Sequence, residues 1–220
     1  LISEALDPIC IGLGSNREDE KGNFINYDNV RIYKERGMDG FIQSITLNHD
    51  GTPKKIIGRL IPHAEAFTLN AFLRFRDYAP TVLYSYKVSK TTDESLRDLK
   101  ENGYKPPPVE DTKVLNLSEV NEAGYDSVII TLFFKNRKVW CCGSSLSNRQ
   151  VKKYGFKHSG CTTVQVASPI LAGMQWITRN KKESLNEPED MFSAGILDKA
   201  KRYLGNFFSK EVIVDSQNFN

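Results

Sequence analysis

The feature that most constrains this chain is the run Ile56-Ile57-Gly58-Arg59-Leu60-Ile61-Pro62-His63-Ala64-Glu65-Ala66-Phe67-Thr68-Leu69-Asn70, in which an apolar strand runs into a helix. Proline has no N–H to give a sheet ladder, so Pro62 marks the strand end and leaves His63 and Glu65 at the junction. Side chains at such a junction project from the rigid end of a sheet, and a carboxylate in the first helical turn is favoured by the helix dipole. The junction is therefore a place where proton chemistry can be built. A plainer reading, which composition alone favours, makes His63 a structural histidine and Glu65 a charge that caps the helix.

The flanking segments build a scaffold around this junction. Phe41 to Asn48 alternates as a strand, Asn48-His49-Asp50-Gly51 is a tight-turn signal, and Lys54 to Ile61 returns, so the two strands form a hairpin. His49 sits in that turn and reads as a solvated loop residue. Beyond the junction, Phe67, Ala71 and Phe75, widened by Phe72 and Leu73, predict a helix over 64–76 that lays an apolar stripe on a sheet. Pro80 to Val88 reads as a strand that places Val82, Tyr84, Tyr86 and Val88 on one face. Two tyrosines on one face can line an amine pocket, although half-buried packing residues with a wet hydroxyl look the same in sequence.

The first residues, Leu1 to Asp7, suggest a short helix, and Pro8 to Leu13 a buried strand ending in Gly12-Leu13-Gly14-Ser15-Asn16. This is not a dinucleotide fingerprint, because Arg17 stands where the third glycine belongs and charged residues follow. Residues 16–39 read as a surface excursion with one short strand at Val30 to Tyr33. Further on, Thr92-Asp93-Glu94-Ser95 opens a helix closed by Gly103, and Lys105-Pro106-Pro107-Pro108-Val109 is an extended connector. Ser127 to Lys135 and Lys138 to Gly143 predict a second hairpin around Asn136-Arg137, and Ser147 the N-cap of a short helix ended by Gly155. Cys161 to Asn180 is apolar almost all round and predicts a buried helix, kinked or shortened at Pro169. Lys181 to Asp190 reads as a polar loop, Phe192 to Phe208 as a last amphipathic helix and Glu211 to Asp215 as a final strand. Strands and helices interleave with two hairpins, which makes the fold class α/β (α+β): a mixed, largely antiparallel sheet with helices packed on it.

Composition excludes several classes. A chain of 220 residues with 40% hydrophobic content buries roughly 70% of its unfolded surface, and one compact domain over 1–220 accommodates it. Thirty basic and twenty-seven acidic residues are mixed along the chain, so nucleic acid is not indicated as a partner. Cys10, Cys141, Cys142 and Cys161 have neither C-x-x-C spacing nor a histidine pair beside them, which argues for no metal site and for free thiols in a reducing cytoplasm. No stretch reaches the roughly 20 apolar residues that span a bilayer, and no leader precedes the first strand, so a soluble protein with no membrane partner is expected.

Three ordered motifs carry a family resemblance. Arg59-Leu60-Ile61-Pro62-His63-Ala64-Glu65-Ala66-Phe67-Thr68 is followed by Tyr78-Ala79-Pro80-Thr81-Val82-Leu83-Tyr84-Ser85-Tyr86, and then by His158 with Thr162-Thr163-Val164-Gln165-Val166-Ala167-Ser168. In this order and spacing they resemble the bacterial homospermidine synthases, from about Arg36 to the C-terminal end. The resemblance implies a saccharopine-dehydrogenase-like enzyme in which a Rossmann domain holds NAD and a second domain contacts substrate. The chain looks mainly like that second domain, a substrate-binding and dimerisation domain over 1–220. Residues 1–16 resemble a separate segment from near the end of the nucleotide fold.

What this implies is an NAD-dependent joining of two putrescines, or of putrescine and spermidine, into homospermidine with release of ammonia or 1,3-diaminopropane, in a cytoplasmic homodimer. A diamine dication needs carboxylates and aromatic faces, which casts Glu65 as its anion and His63 as the base that takes the ammonium proton. Tyr84, Tyr86, His158 and Gln165 are then the expected substrate contacts. Two other readings stand beside it. A saccharopine- or carboxynorspermidine-dehydrogenase-like oxidoreductase would need an arginine clamp for a carboxylate, for which Arg59 and Arg76 are placed, and a non-catalytic dimerisation domain would need neither.

Overall fold

The computed structural model describes residues 2–15, 24–27, 29–113, 115, 117–136, 138–156, 158–180, 188–191 and 193–213. These gather into two compact units, one made of residues 1–44 and 56–112 and the other of 45–55 and 113–220. The class is the expected mixture of antiparallel sheet and helix, but the strands are divided among three three-stranded sheets rather than one.

In the first unit, helix α1 (Ile2–Leu6) leads into strand β1 (Pro8–Gly12), and β2 (Phe24–Tyr27) and β3 (Val30–Arg36) follow. The sheet order is β1-β3-β2, both pairings antiparallel. The short strand expected at Val30 to Tyr33 is thus a seven-residue central strand, and part of the supposed excursion is its hairpin partner. Residues 16–23 and 28 of that stretch lie outside the described residues. Strands β4 (Phe41–Leu47) and β5 (Pro53–Ile61) form the predicted hairpin, and β6 (Tyr84–Tyr86) adds to β5 antiparallel, pairing Arg59 with Tyr86 and Ile61 with Tyr84.

Helix α2 runs from Glu65 to Phe72, one turn shorter than its apolar stripe predicts. The chain turns at Arg76, whose φ is +52°, and Phe75 pairs with Tyr78 across that turn. The stripe also faces the wrong way: Ala66 and Asn70 are the buried residues of α2, while Phe72, Leu73 and Phe75 are exposed. The cause lies at Gly12, where any Cβ would meet the Ala66 carbonyl oxygen and stand 2.7 Å from the Asn70 Cβ, so only a face of small and polar residues comes close to β1. Helix α3 (Lys90–Glu101) is capped by Ser89, whose hydroxyl accepts from the Thr92 N–H, ahead of the expected acidic start. It buries Leu96 and Leu99 against Ala5 and Met38.

The second unit is built on β7 (Tyr125–Phe133), β8 (Val139–Ser147) and β9 (Asn206–Val212), antiparallel in that order. One face packs Val139, Cys141 and Val212 under Ile45 and Leu47. Ser147 caps α4 (Asn148–Lys153) through a capping box with Gln150, and Gly155 at φ +87° follows it, as expected. Helix α5 (Cys161–Arg179) continues through Pro169 without a break, and α6 (Ser193–Ala200) packs Ala200 on Ala172.

Two expectations fail here. Helix α5 buries only the line Cys161, Val164, Gln165, Ser168 and Ala172 and leaves its other faces open. The last helix ends well before Phe208, since Gly205 at φ +73° turns the chain into β9. Residues 181–187, Phe192, Val214 and Asp215, on which parts of the loop, helix and strand expectations fall, lie outside the described residues.

Candidate active site

The strand-to-helix junction forms as its sequence dictates. β5 ends at Ile61, Pro62 follows, and α2 begins at Glu65 with no side-chain cap at Ala64. The Ala66 N–H donates to the His63 carbonyl at 3.0 Å, which folds the chain back so that residues 63 and 65 share one side. Across that turn the His63 Nδ1 is hydrogen-bonded to the Glu65 carboxylate. The ring's other nitrogen, Nε2, lies 3.8 Å from a Glu4 carboxylate oxygen, and the side chains of His63, Glu4 and Glu65 are 30, 37 and 52% exposed. Pairing of Ile61 with Tyr84 sets the next neighbour: the Tyr84 ring stacks on the His63 imidazole with centroids 4.2 Å apart and 14° between planes.

This arrangement fixes a proton geometry. A carboxylate at Nδ1 accepts the Nδ1 proton and leaves Nε2 as the basic nitrogen, with the Glu4 carboxylate as its neighbour. An amine approaching Nε2 and Glu4 from beside the pair would meet one group that accepts a proton and one that neutralises an ammonium, with the Tyr84 ring alongside. The cluster is accessible, so a substrate can reach it without opening the core.

Of the other expected site residues, Tyr86 lies on β6 beside Arg59, half-buried. His158 and Gln165 belong to the other compact unit. There His158 is exposed, and Gln165 is buried, its Nε2 donating to the Ser144 hydroxyl at 3.0 Å. Glu4 is the member that sequence reasoning missed. It sits on a helix of five residues with no periodic signal of its own, and only the tertiary fold brings it to His63.

Other polar groups near the motif are already engaged. Buried Arg59 donates to Asp93 and to the Met38 carbonyl and lies over the Phe41 ring, its centre 4.6 Å from the centroid. Arg76 lies on an exposed turn over Phe75. His49 is not a solvated loop residue: its Nδ1 stands 2.8 Å from the Ser145 hydroxyl, and Asn206 Nδ2 donates to its carbonyl at 2.9 Å. Ser145 is fully buried, which makes this pair a clamp for the turn rather than a nucleophile and base.

The Gly12-Leu13-Gly14 turn is likewise spent on structure. Gly12 exchanges both backbone hydrogen bonds with Val82, and the Leu13 and Ser15 N–H groups donate to Asn29 and Ala79. Those amides are not free to cradle a dinucleotide phosphate, which agrees with the rejection of the fingerprint in sequence. Among the described residues no group of three or more His, Cys, Asp or Glu could hold a metal ion, and no helix is long and apolar enough to cross a membrane.

No family model matches the chain. The homospermidine synthases of Mesorhizobium japonicum and Blastochloris viridis are 29% and 26% identical to it, each over 214 residues and 93% of its length. The crystal structure of homospermidine synthase from Legionella pneumophila, in complex with NAD, superposes with a TM-score of 0.86 at 26% identity over 96% of the chain. The chain spans 42% and 43% of the two curated relatives and 46% of the crystallised one. Over nearly its whole length, in sequence and in fold, the chain is similar to the homospermidine synthases, the enzymes that its three ordered motifs resemble.

Proposed function

We propose that the chain is the amine-binding part of an NAD-dependent homospermidine synthase, joining two putrescines, or putrescine and spermidine, with release of ammonia or 1,3-diaminopropane. The observation that carries the reading is the His63 imidazole held between two carboxylates and against an aromatic ring, in a chain whose relatives bear that name. When bound, NAD supplies hydride acceptance and return. The described residues offer no phosphate cradle for it, so the cofactor is assigned to the length of such an enzyme that the chain does not span, with its nicotinamide approaching the His63 end of the sheet.

The chain's own residues act on the amine. An ammonium has no lone pair to support an imine, so the reacting end must lose a proton before hydride can leave. His63 Nε2 takes it, while Glu65 at Nδ1 fixes the tautomer and stabilises the resulting imidazolium. Glu4 pairs with the ammonium, and the Tyr84 face lies beside the alkyl chain. Tyr86 extends the same wall, while His158 and Gln165 are proposed as substrate contacts with less support, since Gln165 already serves Ser144. Residues 1–220 are proposed as a substrate-binding and dimerisation domain, with residues 1–16 a segment from near the end of a nucleotide fold. We further propose a homodimer in a reducing cytoplasm, with which four free cysteines agree.

The carboxylate-clamp alternative loses ground because Arg59 is committed to Asp93. Steady-state kinetics of Glu65→Gln and Glu4→Gln in a protein that includes the nucleotide domain test the reading. Glu65→Gln is expected to lower kcat with putrescine about tenfold or more, and Glu4→Gln to raise KM with kcat largely kept, each consistent with about 1.5–3 kcal/mol for a charged hydrogen bond. Unchanged turnover with a lowered melting temperature would return Glu65 to the role of a capping charge.

A further inference from the structure

The His63 cluster draws on two separate backbones, α1 with Glu4 and the chain just past the end of β5 with His63, and neither element alone fixes how far apart they stand. Between them lies the single 3-10 turn Gly37–Asp39, which joins β3 to β4. Gly37 is buried there. A Cβ on it would stand 2.9 Å from the Glu4 carbonyl oxygen, 2.9 Å from the Leu60 carbonyl oxygen and 3.4 Å from the Ile61 Cα. All three are backbone atoms, so neither neighbour can swing a side chain out of the way.

The rest of the turn stitches the same two elements together. The Gly37 N–H donates to the Asp7 carbonyl at 2.9 Å, just past the end of α1, and Met38 packs with Ala5 of that helix. On the other side the Met38 carbonyl accepts from Arg59 of β5, and the Leu60 N–H donates to the Gly40 carbonyl at 3.0 Å. These contacts draw α1 and β5 onto the turn, and the bare Cα at 37 decides how close they come. His63 follows Ile61 by two residues, across the stiff Pro62, and its Nε2 stands 3.8 Å from the Glu4 carboxylate.

We propose that Gly37 is a positioning residue for amine binding: by admitting α1 and β5 to close contact with its bare Cα, it sets the gap between the Glu4 carboxylate and His63 Nε2. It acts through Glu4. Strand β5 is held in its sheet between β4 and β6, so α1, five residues long, is the element that yields to a Cβ. Relief from 2.9 Å to ordinary contact beyond 3.4 Å moves the Glu4 backbone outward by about half an ångström. Hydrogen bonds and charge pairs weaken with distance, so an ammonium is then held less well by Glu4. The proton transfer at His63, whose ring is fixed by Glu65 and Tyr84, is kept. This inference rests on the amine-binding reading given above.

Steady-state kinetics with putrescine, in a protein that includes the nucleotide domain, test it through a cycle of Gly37→Ala, Glu4→Gln and the double variant. Gly37→Ala is expected to raise KM roughly 3- to 10-fold with kcat within about twofold, and to change KM by less than about twofold once residue 4 is glutamine. Gly40→Ala is the control from the same turn: its Cβ meets the flexible tip of Ile9 at 2.2 Å rather than backbone, and KM is expected to stay at the wild-type value. KM effects of Gly37→Ala and Glu4→Gln that multiply in the double variant would assign Gly37 to general packing and overturn the proposal. An unchanged KM in Glu4→Gln would overturn the role of Glu4 itself, and the amine-binding reading with it. Glu4→Asp serves where Gly37→Ala does not fold, because it withdraws the same carboxylate by one methylene and leaves the turn intact. It is expected to raise KM in the same range, and a wild-type KM in Glu4→Asp would overturn the claim that this gap governs binding.

Discussion

The His63 imidazole lies flat on the Tyr84 ring, 4.2 Å between centroids and 14° between planes, although the two residues are on different strands' ends and far apart in sequence. The antiparallel pairing of Ile61 with Tyr84 produces this contact, because it brings β6 to the last residue of β5 before Pro62. Stacking restricts rotation of the imidazole about its own bond. Glu65 at Nδ1 restricts what is left, so Nε2 is presented in one direction.

Removing the ring should therefore be felt as lost orientation. In an enzyme that includes the nucleotide domain, Tyr84→Phe keeps the stack and is expected to stay within about twofold of wild type, while Tyr84→Ala lowers kcat/KM with a diamine by roughly 3- to 10-fold. Equal losses in both variants would assign the effect to the hydroxyl instead.

A different pair holds the scaffold under the site. Arg59 is buried on β5, and Asp93 at the start of α3 is the carboxylate that neutralises it. The Arg59 hydrogen bond, then that of Arg97, holds the Asp93 carboxyl below its ordinary range. A carboxyl lowered by folding stabilises the fold fully above its unfolded value, and that contribution is lost as pH falls through the folded value. Asp93→Ala leaves a buried cation without its anion and is expected to cost about 2–3 kcal/mol in urea unfolding at pH 7. The deficit should shrink as pH drops below about 4, where wild-type Asp93 protonates as well. A deficit that stays constant with pH would sink this account.

The sequence told more about elements than about exposure. Pro62 and the turn at 48–51 set the central hairpin and its junction correctly, because both signals are local and steric. The α2 stripe and the all-round apolarity of α5 misled for one reason. Periodicity records what a helix face is made of, and the buried face was chosen elsewhere, by the close approach at Gly12 for α2 and by the Ser144 and Leu146 end of the sheet for α5. His63 and Glu65 were legible because two residues across a chain reversal must meet. Glu4 and the Tyr84 stack were not, since each depends on pairing between distant segments.

The thiols offer a check on burial. Burial pushes the Cys141 and Cys161 thiols up from their ordinary value, Asp126 adding to the effect at Cys161, and neither side chain reaches solvent appreciably. The thiolate is the reactive form, so alkylation at pH 7 followed by peptide mapping is expected to leave both unmodified in native protein and to label both after unfolding. Labelling of either within the mixing time would mean that β8 or the start of α5 opens readily.

Asn70 is completely buried on α2 and ties three segments together. Its Nδ2 donates to the Pro80 carbonyl at 2.6 Å and to the Leu13 carbonyl at 3.2 Å, and its Oδ1 accepts from Asn29 at 2.9 Å. Asn70→Ala leaves two carbonyls and one amide without partners, which at about 1 kcal/mol each predicts a loss of roughly 3 kcal/mol. Asn70→Asp keeps the shape but turns a donor into an acceptor facing two carbonyl oxygens, and buries a charge. It should therefore melt below the alanine variant at pH 7, although it removes fewer atoms. Acidification separates the two further. Burial among carbonyl oxygens disfavours the new carboxylate and raises its affinity for a proton above that of the unfolded chain, and the neutral acid can donate once again. The melting temperature of Asn70→Asp should therefore recover relative to that of Asn70→Ala as pH falls from 7 to about 5. Thermal unfolding of both variants across that range decides the matter. An aspartate variant more stable than the alanine variant at pH 7 would show that the Asn70 amide is not the tie between α2, the end of β1 and the segment at Pro80 that supports the His63 junction.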